Sequence, residues 1–280
     1  MKSAHFTRSG YRLINFLLRS FSLKLVRISD SQKTIKGDRR VAGLIVECIG
    51  PSGIGKTTAN KIFQPSSKYG WNFDYPAGSN IKIDQFSSDP RLDFFYNKLL
   101  LKKSESVFSR DLTALHANNL MQFMCLRAKQ DYALSQLMSI DENLGFWLED
   151  GIFHNFSKEI LQGLESGDMD PKAFGNRVII NFTTESSVIV ERLRKRHREN
   201  STAGNNWFRV YGEHAIHSHV DAILDTKRRL TNALRQIGLL AYTVDATNQE
   251  ELADQLQIIE ENIVLHNGLD AGAEKTAEYG

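Results

Sequence analysis

"GPSGIGKTT", Gly50 to Thr58, follows directly on the apolar run "VAGLIVECI" at 41–49. A short run rich in β-branched and aliphatic residues, stopped by a glycine, reads as a buried strand. "TTANKIF" behind the turn has a helical pattern. The spacing Gly50, four residues, Gly55, Lys56, Thr57 is that of a phosphate-binding loop, or P-loop. Each part has a chemical task. Gly50, Gly53 and Gly55 permit backbone conformations that a side chain blocks. Backbone N–H groups through Ser52, Ile54 and Gly55 form an anion nest with the start of the following helix. Lys56 is expected to reach the β- and γ-phosphates, Thr57 to offer a hydroxyl to Mg²⁺, and Thr58 to contact the α-phosphate or cap the helix. The expected ligands are ATP and Mg²⁺.

The chain has 280 residues, 41% hydrophobic and 24% charged, a profile of a globular protein with ample surface to bury. Its net charge of +2 hides an asymmetry. Lys2, Arg8, Arg12, Arg19, Lys24 and Arg27 precede residue 30 with no acid among them. That leaves 29 of the 35 bases against all 33 acids, so the remainder is mildly acidic. Such a body calls for no nucleic-acid groove. Cys48 and Cys125 lack metal spacing and are expected as buried small hydrophobes of a reducing compartment. No apolar run approaches the roughly 20 residues of a membrane span. A cytoplasmic location is expected.

Three regions are distinguishable. Residues 1–37 form a basic amphipathic arm and linker. Tyr11, Ile14, Leu18, Phe21, Leu25 and Ile28 share one helical face, with Arg12, Arg19 and Arg27 off it. A helix of this kind suits an anionic membrane surface, the domain's own core, or an organelle transit peptide. Residues 38–266 alternate short apolar runs ("RVIINF", "GFWLED", "LLAYTVDA") with long helical patterns starting near Asp111, Ser186 and Glu250. That alternation predicts an α/β fold with a parallel sheet flanked by helices. Residues 267–280 are small and polar, and are expected as a flexible tail.

A P-loop alone does not choose among kinases, GTPases and motors. The chain lacks the Asn-Lys-x-Asp element of guanine recognition, the Leu-Ser-Gly-Gly-Gln signature of transporters and a helicase-like motif set. A small-molecule kinase leads by elimination.

Three stretches resemble the thymidylate-kinase-like branch of P-loop kinases. "GLIVECIGPSGIGKTT" is similar to the family's first strand and loop, with an acid, Glu47, ahead of the turn. "VIINFTTESSVIVERLRKRHREN" resembles its strand, helix and arginine-rich lid entry. "AYTVDATNQEELADQLQIIEENI" is similar to its closing strand and helix. The resemblance implies a P-loop kinase-like domain over 38–266 with a mobile arginine-rich lid. It also implies transfer of the ATP γ-phosphoryl group to a small acceptor.

The residue chemistry agrees with that implication. Phosphoryl transfer needs the moving charge neutralised and water excluded. Arg192 and Arg196 lie one helical turn apart, as do Arg194 and Arg198, with Lys195 between, so one pair is expected to face phosphates and the other solvent. Arg192 and Arg196 are the catalytic candidates, and "NSTAGNNWF" suits a hinge behind them. Glu149 and Asp150 fall at the carboxyl end of a predicted strand, where ligands of open α/β sheets bind. Asp150 is the preferred proton acceptor and, with Thr57, the preferred metal ligand. Glu149 is the second choice. Lys56 completes the catalytic set.

One departure matters. Thymidylate kinases carry Asp-Arg after this strand, whereas this chain has Glu149-Asp150-Gly151. The missing arginine points to an uncharged acceptor such as a nucleoside or sugar hydroxyl. Trp71, Phe73 and Tyr75, near Asp74, suit either stacking on an acceptor or core packing. Arg127 and Gln130 are candidates for the acceptor pocket. His214, His217 and His219 read as surface histidines. Two other functions stay open: a kinase docked at a membrane through residues 11–28, acting on a lipid-linked or surface-polysaccharide precursor, and a non-catalytic ATP-binding regulatory module. Homodimerisation is equally open.

Overall fold

The computed structural model describes residues 43–62, 71–73, 89–110, 112–140, 145–199 and 207–277, with backbone alone at 62, 139–140, 207–211, 213 and 264–277. The chain divides into two units after Asp38. The basic arm, Asp74, Tyr75 and the hinge segment 200–206 lie outside the described residues.

The described strands make a five-stranded, all-parallel sheet in the order β2-β3-β1-β4-β5. Its members are β1 (Leu44–Ile49), β2 (Trp71–Asn72), β3 (Gly145–Leu148), β4 (Arg177–Thr183) and β5 (Leu240–Asp245). β1 is buried at every position. It occupies the centre because it has apolar partners to bury on both faces, as parallel strands require. Leu44, Val46 and Cys48 join the core on one face with Ile54, Ile189 and Leu256. Ile49 joins the opposite core with Phe95, Phe153 and Phe174.

Helices cover the sheet: α1 (Lys56–Ile62), α2 (Pro90–Phe108), α3 (Ala114–Ile140), α4 (Ile152–Asn155), α5 (Ser157–Glu165), α6 (Ser186–Glu199), α7 (Trp207–Gln236) and α8 (Gln249–Ala277). α2 starts by local rules. Asp89 accepts the Arg91 N–H at 2.9 Å and Pro90 occupies the first turn, where its missing N–H costs nothing. α7 is broken at Gly212, whose φ of 70° lies in the left-handed region. α8 runs to Ala277, so residues 267–277, expected as a flexible tail, are helical.

Register brings the distant acids to the loop. Glu47 of β1 pairs with Leu148 of β3, and Ile49 with Asn181 of β4. Gly50 and Glu149 therefore leave the sheet at the same edge although about a hundred residues separate them. Of the aromatic cluster Trp71 packs, whereas Phe73 is exposed. Trp71 meets Trp147 edge-on at 5.8 Å, and its indole N–H donates to Glu260 at 2.9 Å. Cys48 is buried as expected. Cys125 is exposed, contrary to expectation, because α3 turns that position outward. No helix among the described residues is long and apolar enough to cross a membrane.

Candidate functional site

The turn after β1 is tight. Gly50, Gly53 and Gly55 have φ of 148°, 83° and 113°. A Cβ at Gly53 would sit 3.0 Å from the Leu193 side chain, so both backbone and space demand glycine there. α1 begins at Lys56, so its free N–H groups open toward the turn. Lys56 is 8% exposed. It donates to Gly50 O at 2.8 Å and lies 3.5 Å from Asp150 Oδ1. Burial pulls the Lys56 ammonium below its ordinary range, and Asp150 opposes that pull.

The two acids divide their tasks. Glu149 Oε2 accepts the Thr57 hydroxyl at 2.7 Å, and Oε1 accepts Asn60 Nδ2 at 3.0 Å. Asp150 instead sits between Lys56 and His154 Nε2, the latter at 3.3 Å. The structure thus places Glu149, rather than Asp150, beside Thr57. A hydroxyl and a carboxylate beside the glycine turn could hold Mg²⁺, which keeps waters and takes few protein ligands. Among the described residues no cluster of three or more His, Cys, Asp or Glu forms a complete protein cage for a metal.

Beneath this turn lies a buried polar network. Glu47 is wholly buried and accepts the His154 backbone N–H at 2.6 Å. Arg177 grips Asp131 through two bonds, at 2.6 and 3.1 Å, and approaches Glu47 only to 3.6 Å. Burial pushes the Glu47 carboxyl up to about 8, with Arg177 opposing. A Cβ at Gly151 would come within 2.2 Å of Glu47 Cδ. The glycine after the acid pair is the seat of Glu47.

Arg192 and Arg196 both reach the loop from α6. Arg192 donates to Ile54 O at 2.9 Å and to Ala246 O at 3.0 Å, tying the loop to the turn after β5. Arg196 lies 3.3 Å from Ser52 Oγ. Arg194 pairs with Glu191 and Lys195 with Glu199 on their own helix. Arg127 and Gln130 bond to each other at 3.2 Å, while Leu120 and Phe123 of the same helix line the cleft. His214 and His217 are exposed, and His219 lines the cleft.

Lys56, Thr57, Glu149, Asp150, Arg192 and Arg196 line one cleft of about 1250 Å³. Beyond the loop, its wall includes Lys103, Arg110, His154, Lys158 and Lys227, none singled out from the sequence. Two of them had a readable signal. Lys103 falls between Leu99 and Val107 on the buried stripe of α2, and Lys227 falls on the stripe of Val220, Leu230 and Leu234 in α7. A cation on an apolar stripe is held for a reason other than solubility. No protein-family model matches the chain, and no curated protein matches it.

Proposed function

We propose that the chain is an ATP- and Mg²⁺-dependent phosphotransferase that moves the γ-phosphoryl group to a hydroxyl of a small acceptor. The observation that carries this reading is the Thr57–Glu149 contact at 2.7 Å, which joins the phosphate-loop hydroxyl to an acid from the neighbouring strand. That juxtaposition suits a metal held at a triphosphate. The positive φ of the loop glycines and the opening of α1 onto the loop support a polyphosphate cradle there.

In this reading Lys56 leaves the Gly50 carbonyl and meets the phosphates. Thr57 and Glu149 would hold Mg²⁺, which would neutralise phosphate charge. Arg192 fixes the loop through backbone carbonyls and is a positioning residue. Arg196, whose hydrogen-bond partner among the described residues is Ser52, is the arginine that turns to the transferred group. Asp150 receives the acceptor's proton. The acceptor oxygen forms the new P–O bond as the bond to the β–γ bridging oxygen breaks, giving ADP and a phosphate monoester. The arginine-rich segment closes over the site as a lid.

The reading is tested by incubating labelled ATP and Mg²⁺ with the full chain and a panel of hydroxyl acceptors. Transfer of label to an acceptor that disappears in Asp150→Asn supports it. Nucleotide binding without transfer to any acceptor favours a regulatory module instead.

A further inference from the structure

We propose that the far half of the cleft is a subsite for a dianionic group of the acceptor, above all a phosphate monoester, held by Arg110, Lys158 and Lys227. The acceptor then carries its reacting hydroxyl at one end and its charged group at the other. The word acceptor rests on the phosphotransferase reading. The anion subsite does not.

The wall beyond the loop holds more positive charge than it neutralises. Lys103 has a carboxylate, Glu159, at 3.2 Å. Among the described residues the hydrogen-bond partners of Lys227 are neutral. It donates to His154 O at 2.6 Å, to Phe153 O at 3.5 Å and to the Ser157 hydroxyl. Arg110 reaches Ser106 Oγ at 3.5 Å, and neither it nor Lys158 forms an ion pair among the described residues. These groups come from four places in the chain: α2, the residues just after it, α5 and α7. All line the one cleft that holds the phosphate loop.

A solvated basic face does not account for this arrangement. Arg110 and Lys158 are exposed, but Lys227 is 3% exposed and Lys103 9%. An ammonium buried without an anion is costly, and the cost is relieved when an anion arrives. The mutual crowding is visible in the groups themselves. Burial pushes the Lys227 ammonium down to about 7, with Lys56 and Lys103 adding to the push and Glu47 and Asp150 opposing it. Burial also lowers Lys103, and Arg110 and Lys158 lower it further against the pull of Glu159.

The transfer end has the opposite character. Asp150 stands 3.5 Å from Lys56, and a carboxylate there suits an incoming hydroxyl and repels an incoming phosphate. Leu120 and Phe123 give the same cleft an apolar wall for the body of the molecule. The expectation of an uncharged acceptor rested on the arginine missing after β3. The cations are supplied instead by α2, α5 and α7, away from that strand.

Calorimetry on the full chain tests the subsite. Saturating Mg²⁺–ADP first fills the loop, and inorganic phosphate or acetate is then titrated in. Phosphate is expected to bind at one site per chain and acetate about tenfold more weakly, since one charge is lost. The exposed pair Arg110→Ala and Lys158→Ala, combined, is expected to weaken phosphate by about tenfold while ADP affinity stays within about twofold. Unchanged melting shows that the double variant is folded. Phosphate that finds no second site, or binds the double variant as well as the parent, overturns the proposal. Acetate binding as tightly as phosphate overturns the dianion assignment. If the parent binds no ADP but phosphate still binds and depends on Arg110 and Lys158, the phosphotransferase reading fails and the subsite stands.

Discussion

Thr57 donates its hydroxyl to Glu149 across 2.7 Å, joining the first turn of α1 to the residue just beyond β3. Asn60, one turn further along α1, donates to the same carboxylate at 3.0 Å. Glu149→Gln keeps an acceptor for these donors but removes the charge a metal needs. Nucleotide affinity without Mg²⁺ should stay within about twofold, and the gain on adding Mg²⁺ should fall by about tenfold or more. Paired titrations with and without Mg²⁺ measure both.

Gly151 and Glu47 fit only because one of them has no side chain. With a Cβ at 151 placed 2.2 Å from Glu47 Cδ, Gly151→Ala forces the turn or the buried carboxylate to move. The expected cost is about 1–3 kcal/mol in denaturant unfolding. Adding Glu47→Ala to Gly151→Ala should cost less than the two single changes summed. Strict additivity would argue against the contact.

Stability should depend on pH with a minimum near pH 7 to 8. Glu47 is raised from 4.5 to about 8, so between those values the folded chain keeps a proton the unfolded chain has lost. Stability therefore falls as pH rises through that window. Lys227 is lowered from 10.5 to about 7, so above 7 the unfolded chain binds the extra proton. Stability then rises toward pH 10.5. Each limb has a slope of at most about 1.4 kcal/mol per pH unit. Glu47→Gln should flatten the acid-side limb and Lys227→Met the alkaline one. Urea midpoints across pH 5 to 10 that show no such separation would contradict both assignments.

The arginines of α6 should differ sharply. Arg192→Ala removes bonds to Ile54 and Ala246 that tie the loop to the turn after β5, so nucleotide affinity should fall by about tenfold. Arg194 pairs with Glu191 on its own helix, and Arg194→Ala should change affinity by less than about twofold. Equal effects would contradict these placements.

Much of the framework is readable in the chain because it is written in short-range patterns. Apolar runs at 44–49, 145–148, 177–183 and 240–245 are strands, and the glycine turn after the first follows its spacing. What escapes depends on tertiary placement. Nothing local says which of Glu149 and Asp150 turns to Thr57, since the pairing of Glu47 with Leu148 sets it. The Asp89-Pro90 start of α2 and its stripe Phe95, Leu99, Val107 are local signals, but they lie outside the strand–helix alternation that marks the sheet. The upper part of α7 was obscured by its histidines and arginines. Lys103 and Lys227 interrupt apolar stripes, so a periodicity count discards the residues that give the cleft its charge.

Titrating Mg²⁺–ATP into the full chain by calorimetry tests the central claim most directly. The account predicts one saturable site per chain, and loss of that heat in Lys56→Ala with thermal melting retained. A parent protein that gives no heat, or a Lys56→Ala variant that binds as tightly as the parent, would contradict it.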